Sequence, residues 1–290
     1  KKFIQRDREI YWLRKLSETG YGARMLATFA NGRFEEFLDA DTLTKRDLRD
    51  PQVSALIASK VCQLHNLADQ FPLSPGIERD RSAAPELWDS IGRYVTQVSD
   101  AMDAILETYP DRKARAEALG LNGRLTAALA RIKQRLESLG SPVVFAHNDL
   151  QYGNLLRHSI TREIVIVDYE YSSFNYRSYD IANHFCEWMA DYHGDAPHVL
   201  AAAQFPTLAE RQHFYRAYIE AHHVNACVNA FDAEVMVSVL LSHAFWGLWG
   251  LVREADMLGR REIDFDFWEY GAQRIERLWA DMETALAMQC

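Results

Sequence analysis

Asp149, Asn154 and Asp168 are the residues of this chain best suited, by type and spacing, to do chemistry. The first lies in the run His147-Asn148-Asp149-Leu150-Gln151-Tyr152-Gly153-Asn154, where an amide follows a carboxylate by five positions. The third closes the apolar run Ile164-Val165-Ile166-Val167. One carboxylate can take the proton of a hydroxyl, while a second carboxylate and an amide oxygen can hold a hard cation such as magnesium. Phosphoryl transfer asks a protein mainly for positioning and charge neutralisation, so three oxygen-bearing side chains on two adjacent loops suffice. Each residue alone has an ordinary explanation: a turn cap, a left-handed turn beside Gly153, or the end of a buried strand. Their joint spacing around a hairpin, with its turn at 158–162, favours chemistry.

The same skeleton occurs in protein kinases as H-R-D-L-x-x-x-N followed by D-F-G, with the first Asp as base and the other two residues on magnesium. The residues after Asp168 are more specific still. Asp168-Tyr169-Glu170, Asn175, Asp180-Ile181-Ala182-Asn183-His184 and Glu187 closely resemble the signature of the choline/ethanolamine kinase family. The resemblance runs from Glu9 through Asn31-Gly32-Arg33-Phe34-Glu35-Glu36-Phe37 to Ile263-Asp264-Phe265-Asp266-Phe267 and Tyr270. It implies an α+β, protein-kinase-like fold of the aminoglycoside phosphotransferase and choline kinase type, with a mostly helical C-lobe. It also implies transfer of the γ-phosphate of ATP to the hydroxyl of choline or ethanolamine, the first step of phospholipid head-group synthesis. Carried over by position, it makes Asp149 the catalytic base and Asn154 and Asp168 the ligands of Mg2+. Gln151, Tyr171, Glu187, Tyr192, Trp246, Trp249, Phe265 and Tyr270 match the walls of the amino-alcohol pocket. Glu9 and the hinge-like Glu36, Phe37 and Leu38 match the nucleotide side, where backbone rather than acidic side chains would meet adenine.

At 290 residues the chain can form one large domain or two lobes around a cleft. Its 48% hydrophobic and 25% charged residues are ordinary for a globular protein. The net charge of −9 disfavours nucleic acid and suits a small cationic substrate. No unbroken apolar run long enough for a membrane span stands out, and Lys1-Lys2-Phe3-Ile4-Gln5-Arg6 lacks a signal-peptide core. Cys62, Cys186, Cys227 and Cys290 are scattered without a C-x-x-C pair, which fits a reducing cytoplasm rather than a zinc site or a disulfide framework. The expected partners are therefore small molecules, namely ATP, choline and ethanolamine, with a homodimer kept open.

These residues need a scaffold. The pattern predicts a helix over 7–18, strands at 25–29 and 33–38 around an Asn31-Gly32 turn, and a helix starting at Asp50-Pro51. A Pro- and charge-rich link follows at 71–85, then helices over 86–107 and 112–139 and a strand at 143–146. Beyond Tyr179 the chain reads as helical, with breaks near 193–197, 204–206, 229–232 and 259–264. Residues 1–38 read as the remnant of an N-lobe and 39–290 as the C-lobe. Glycine-rich strands that would cover the phosphates are not found ahead of Glu9, so the N-lobe reads as truncated. That leaves Glu9 without the basic partner expected of it and predicts weak ATP binding.

The acceptor pocket rests on Trp246-Gly247-Leu248-Trp249, two indoles at i and i+3 on one helical face. Aromatic faces attract cations, although a Trp pair in an apolar helix is also ordinary core. Glu187 is expected to add a charge facing the ammonium. His147 is expected to hold Asp149 by packing and hydrogen bonding, while the adjacent His222 and His223 point to different faces and make a poor ligand pair. Asp180 and Asn183 either brace the loop carrying Asp149 or cap the following helix. The Cys186-Glu187-Trp188 segment with Tyr192 leans towards choline, and the segment 263–267 fits an ethanolamine kinase as well. The alternatives are an ethanolamine kinase, an aminoglycoside-type phosphotransferase, and a non-catalytic relative that binds without turnover.

Overall fold

Val228–Asp256, helix α8, is apolar almost all round, a pattern that requires burial on every side. The computed structural model, which describes residues 6–19, 21–67, 85–221, 227–260 and 264–288, places it at the centre of a mostly helical body. Around it pack α3 (Leu87–Thr108), α5 (Gly123–Leu139), α6 (Arg177–Glu187), α7 (Leu208–Ala221) and α9 (Phe267–Ala287). Among the described residues α8 is the one helix long and apolar enough to cross a membrane, and 89% of its most apolar window is buried inside the protein. Each large side chain buried there contributes about 1.5–3 kcal/mol, so the helix holds its position through packing rather than intrinsic propensity.

The closest packing is between α8 and α9. A Cβ added to Gly250 would lie 3.0 Å from the backbone of Gly271, and one added to Gly271 would lie 2.8 Å from the carbonyl oxygen of Gly247. Only hydrogens fit between the two helices at this crossing.

Three small antiparallel sheets carry the loops. Strands β1 (Met25–Phe29) and β2 (Gly32–Glu35) form a hairpin after α1 (Arg6–Glu18). Strand β3 (Ala40–Thr42) pairs with β5 (Leu155–His158), which pairs with β6 (Ile164–Ile166). Strand β4 (Val143–Ala146) pairs with β7 (Ser173–Tyr176). Trp12 of α1 packs on Phe145 of β4, with ring centroids 4.2 Å apart, so the first helix shares the core of the rest.

Several expectations change. The helix expected over 112–139 is two, α4 (Lys113–Leu119) and α5, because Gly120 adopts φ 60° and turns the chain. The break expected at 229–232 is absent, since these residues form the first turns of α8. The second strand ends at Glu35, leaving Glu36, Phe37 and Leu38 outside any strand. Helix α2 (Pro51–Leu67) starts as expected: Asp50 accepts the N–H groups of Gln52 and Val53. The link at 71–84, His222, His223 and Ile263 lie outside the described residues.

Candidate active site

Strand β4 delivers the chain into residues 147–150, and β7 returns beside it to start α6. The N-terminal half of α6 then fastens that loop. Asp180, fully buried, accepts the backbone N–H of His147 at 2.8 Å and of Asn148 at 2.7 Å, and Asn183 accepts that of Leu150 at 2.7 Å. A third donor, His65 from α2, reaches Asp180 at 3.0 Å. Burial alone would raise the Asp180 carboxyl, yet the His65 and His147 contacts hold it below the usual carboxylate range. These two residues therefore brace the loop.

The backbone is strained at two residues of the site, one on this loop and one on the segment after β6. Asn148 has φ 69° and Asp168 φ 66°, both in the left-handed region that Asn and Asp tolerate better than most residues. Asn148 is locked there by donating to Tyr171 O and Ser173 Oγ, each at 2.9 Å, and by accepting from Asn175 at 2.8 Å. His147 is kept neutral by burial, its Nε2 bonding Val167 O at 2.9 Å and its Nδ1 accepting the Asp149 N–H at 3.2 Å. It thus holds Asp149 by hydrogen bonding, as expected.

Asp149 stands half-buried at the end of this loop. Burial pushes its carboxyl well above the usual carboxylate range, and the charges of Glu187, Asp168 and Glu170 push it the same way. Asn154 opposes them by donating to the Asp149 carboxylate at 3.1 Å and to its carbonyl at 2.9 Å. Hence the Asn154 amide oxygen faces away from Asp149, and no described residue bonds it. Asp168, at the far end of the β5–β6 hairpin, is exposed and has no hydrogen-bonded or ion-paired partner among the described residues. One free carboxylate and one free amide oxygen are the hard donors a Mg2+ ion uses when phosphates and water supply its other positions. No cluster of three or more His, Cys, Asp or Glu among the described residues would hold a metal unaided.

Asp149 opens into a cavity of about 360 Å³ lined by Gln151, Glu170, Tyr171, Tyr192, Trp246, Trp249, Phe265, Phe267 and Tyr270. Trp246 meets Tyr171 and Trp249 edge-on with centroids 5.2 and 5.4 Å apart, and Trp249 meets Tyr270 at 6.2 Å. Seven of the expected acceptor-side residues, Gln151, Tyr171, Tyr192, Trp246, Trp249, Phe265 and Tyr270, thus surround one space with Asp149. Glu187 does not. It lies behind the wall, 2% exposed, accepting from Tyr192 Oη at 2.5 Å and from Arg274 Nη2 at 2.6 Å. Direct contact of its carboxylate with an ammonium in the cavity is corrected by this pairing.

The nucleotide-side residues are not gathered in that cavity. Glu9 lines a second one of about 140 Å³ with Asn148 and Tyr169, and Glu170 and Tyr171 border both. Glu9 does have a basic partner, Arg33 of β2 at 2.6 Å, against the expectation that it would lack one. Glu36 is exposed, with its N–H on Arg24 O at 2.7 Å, Phe37 is 93% exposed, and the Leu38 carbonyl accepts Ala40 N–H at 2.9 Å. None of the three lines either cavity.

Sequence reasoning missed Glu170, Phe267, Tyr152 and Arg274. The first three stand inside the motifs at 168–170, 263–267 and 147–154. Tyr152 fixes the wall by accepting the Tyr192 N–H at 2.7 Å. Arg274 sits one helical turn beyond Tyr270, the only signal the sequence offered for it.

The family model for choline/ethanolamine kinase matches residues 1–279. "Probable choline kinase 2" of Arabidopsis thaliana is 35% identical over 288 residues, 98% of this chain and 75% of the plant protein. The human "Choline/ethanolamine kinase" is 32% identical over 281 residues, 90% of this chain and 64% of the human protein. The crystal structure of choline kinase from Cryptosporidium parvum superposes with a TM-score of 0.74 at 25% identity, covering 99% of this chain and 81% of the other.

Proposed function

This chain belongs to the choline/ethanolamine kinase family, and we propose that it phosphorylates choline from ATP, with ethanolamine as a second acceptor. It is an ATP-dependent phosphotransferase of the kinase-like fold. The observation that carries the acceptor is the convergence of Asp149 with four aromatic faces from α8, α9 and the neighbouring loops in one cavity. A trimethylammonium group has no proton to donate, so ring faces are the surfaces that attract it, each by about 0.5–2 kcal/mol. Clustered acids, which a polycationic aminoglycoside would call for, are not what lines this wall.

In the reaction the acceptor hydroxyl oxygen forms a bond to the γ-phosphorus while the bond from that phosphorus to the bridging oxygen breaks, releasing ADP. Asp149 takes the hydroxyl proton, and its raised affinity for a proton suits that role. Asn154 steadies the Asp149 carboxylate through its amide N–H, while its free oxygen and the Asp168 carboxylate are the groups that would hold Mg2+. Bound there, the cation would neutralise charge on the phosphates. Trp246, Trp249, Tyr171 and Tyr270 seat the ammonium so that its hydroxyl arm points to Asp149. The nucleotide would enter from the Glu9 side, with residues 36–38 as the hinge between a region 1–38 and the helical region 39–290.

The test is a phosphorylation assay with choline, ethanolamine and an aminoglycoside in parallel. We expect turnover of choline above ethanolamine and none of the aminoglycoside. Asp149→Asn keeps the shape but cannot accept the proton, and should lower kcat by about 10²–10⁴. A loss below tenfold, with an unchanged melting curve, would remove Asp149 from the role of base.

A further inference from the structure

The wall of the acceptor cavity has charge behind it. Arg274 is completely buried, and its Nη2 donates to Glu187 at 2.6 Å and to the Tyr270 hydroxyl at 2.9 Å. The other Glu187 oxygen accepts from the Tyr192 hydroxyl at 2.5 Å. Tyr192 and Tyr270 both line the cavity, so two wall residues are tied together from behind by one ion pair. The Nε and Nη1 groups of Arg274 have no hydrogen-bond partner among the described residues, which leaves Glu187 as the one carboxylate paired with it there.

From this arrangement we infer that Arg274 sets which amino alcohol the cavity prefers. By neutralising Glu187, it takes one carboxylate charge from a wall that Asp149 and Glu170 also line, shifts cation recognition towards the aromatic faces, and so favours a quaternary over a primary ammonium. The inference rests on the function proposed above and goes beyond it by naming a residue that touches no substrate. Two buried charges of opposite sign at hydrogen-bond distance present a short dipole to the cavity, whereas an unpaired carboxylate would present a full charge. A primary ammonium is compact, strongly hydrated and carries three donors, so it responds mostly to charge and acceptors. A trimethylammonium has no donors and responds mostly to ring faces. The pairing therefore subtracts from the wall one charge that ethanolamine would use, and leaves the ring faces that choline uses.

Trp246 and Trp249 in the wall allow binding to be read by their fluorescence, independently of turnover. Choline and ethanolamine are titrated into the parent, Glu187→Gln, Arg274→Met and the double variant, each accompanied by a melting curve. Glu187→Gln leaves the Arg274 charge uncompensated and should weaken choline by about tenfold or more. Adding Arg274→Met to that variant removes the charge and should restore choline to within about threefold of the parent. Arg274→Met alone should shift the ratio of affinities towards ethanolamine by about fivefold or more. A shift of the choline-to-ethanolamine ratio at an unchanged melting temperature is a result that a purely structural pair would not give. A double variant that binds choline no better than Glu187→Gln overturns the inference, as does an unchanged ratio in a folded Arg274→Met. Should Arg274→Met alone fail to fold, the comparison of Glu187→Gln with the double variant decides. A parent that binds choline without this rescue defeats the charge argument only, while a parent that binds neither alcohol defeats the functional reading and this inference with it.

Discussion

Trp249 is half-buried, with Trp246, Phe267 and Tyr270 set edge-on around it at 5.4, 5.7 and 6.2 Å. Its indole thus keeps contact area for a cation while its rim is packed. Trp249→Ala should raise the choline KM about tenfold, from lost cation–π attraction and lost apolar contact, and leave the ATP KM nearly unchanged. Ethanolamine should suffer less, and Trp249→Phe should be milder for both. A fall in melting temperature without a choline-selective KM change would make Trp249 a packing residue only. At this scale the sequence was highly legible for the side chains that face the cavity, because their spacing matches a family pattern. It was misleading for Glu187, since a residue type says nothing about a partner 87 positions away. Arg274 escaped notice for the same reason: its meaning lies in a tertiary contact, and an arginine on an amphipathic helix ordinarily points to water.

Helix α6 and the loop before it act as one unit through three backbone N–H groups held by two side chains. Asp180 accepts from two of these and from His65, so it needs two acceptor oxygens. Asp180→Asn keeps the volume but offers one oxygen and turns an N–H₂ towards donors, leaving a buried clash worth about 1–3 kcal/mol. The loop relaxes, Asp149 shifts with it, and kcat should fall by about 10–10²-fold with a smaller effect on KM. Wild-type turnover from this variant would show that the loop is held by other contacts. The long helices were readable because many apolar positions repeat along them. Strands β3 and β7 were not, being three and four residues long and paired with distant strands, Thr42 with Leu156 across 114 positions and Ala146 with Ser173 across 27. So short a stretch shows no periodicity, and its pairing partner is visible only in the fold.

The interior of the whole molecule holds several neutral histidines. His184 donates from Nδ1 to Leu150 O at 3.0 Å and accepts the Trp188 indole N–H on Nε2 at 3.2 Å, so both nitrogens are used by the uncharged ring. Burial pushes its pKa down to about 4. Burial lowers His147 and His243 as well, and Arg274 and Arg277 add to the effect at His243. Between the ordinary histidine range and pH 4 the unfolded chain therefore binds protons that the folded chain refuses. Stability is full above about pH 6.5 and drains as pH falls towards 4, by about 3 kcal/mol for His184 alone. Urea midpoints at pH 7.5 and pH 5 should differ accordingly, and His184→Gln should flatten the difference. Equal midpoints would mean that these rings take up protons inside the fold.

The crossing of α8 and α9 at Gly250 and Gly271 works as a calliper. Trp246 and Trp249 ride on one jaw and Tyr270 on the other, so the gap between jaws fixes the girth of the head group that passes between them. A methyl at position 271 would sit 2.8 Å from the Gly247 carbonyl and 3.0 Å from the Leu251 backbone nitrogen, and only a parting of the helices can relieve it. Gly271→Ala should therefore loosen the grip on trimethylammonium and improve the relative kcat/KM for a triethyl analogue, although no side chain in the cavity has changed. An enzyme of this shape can be re-gauged for bulkier onium compounds from outside its pocket, by exchanging one hydrogen for one carbon.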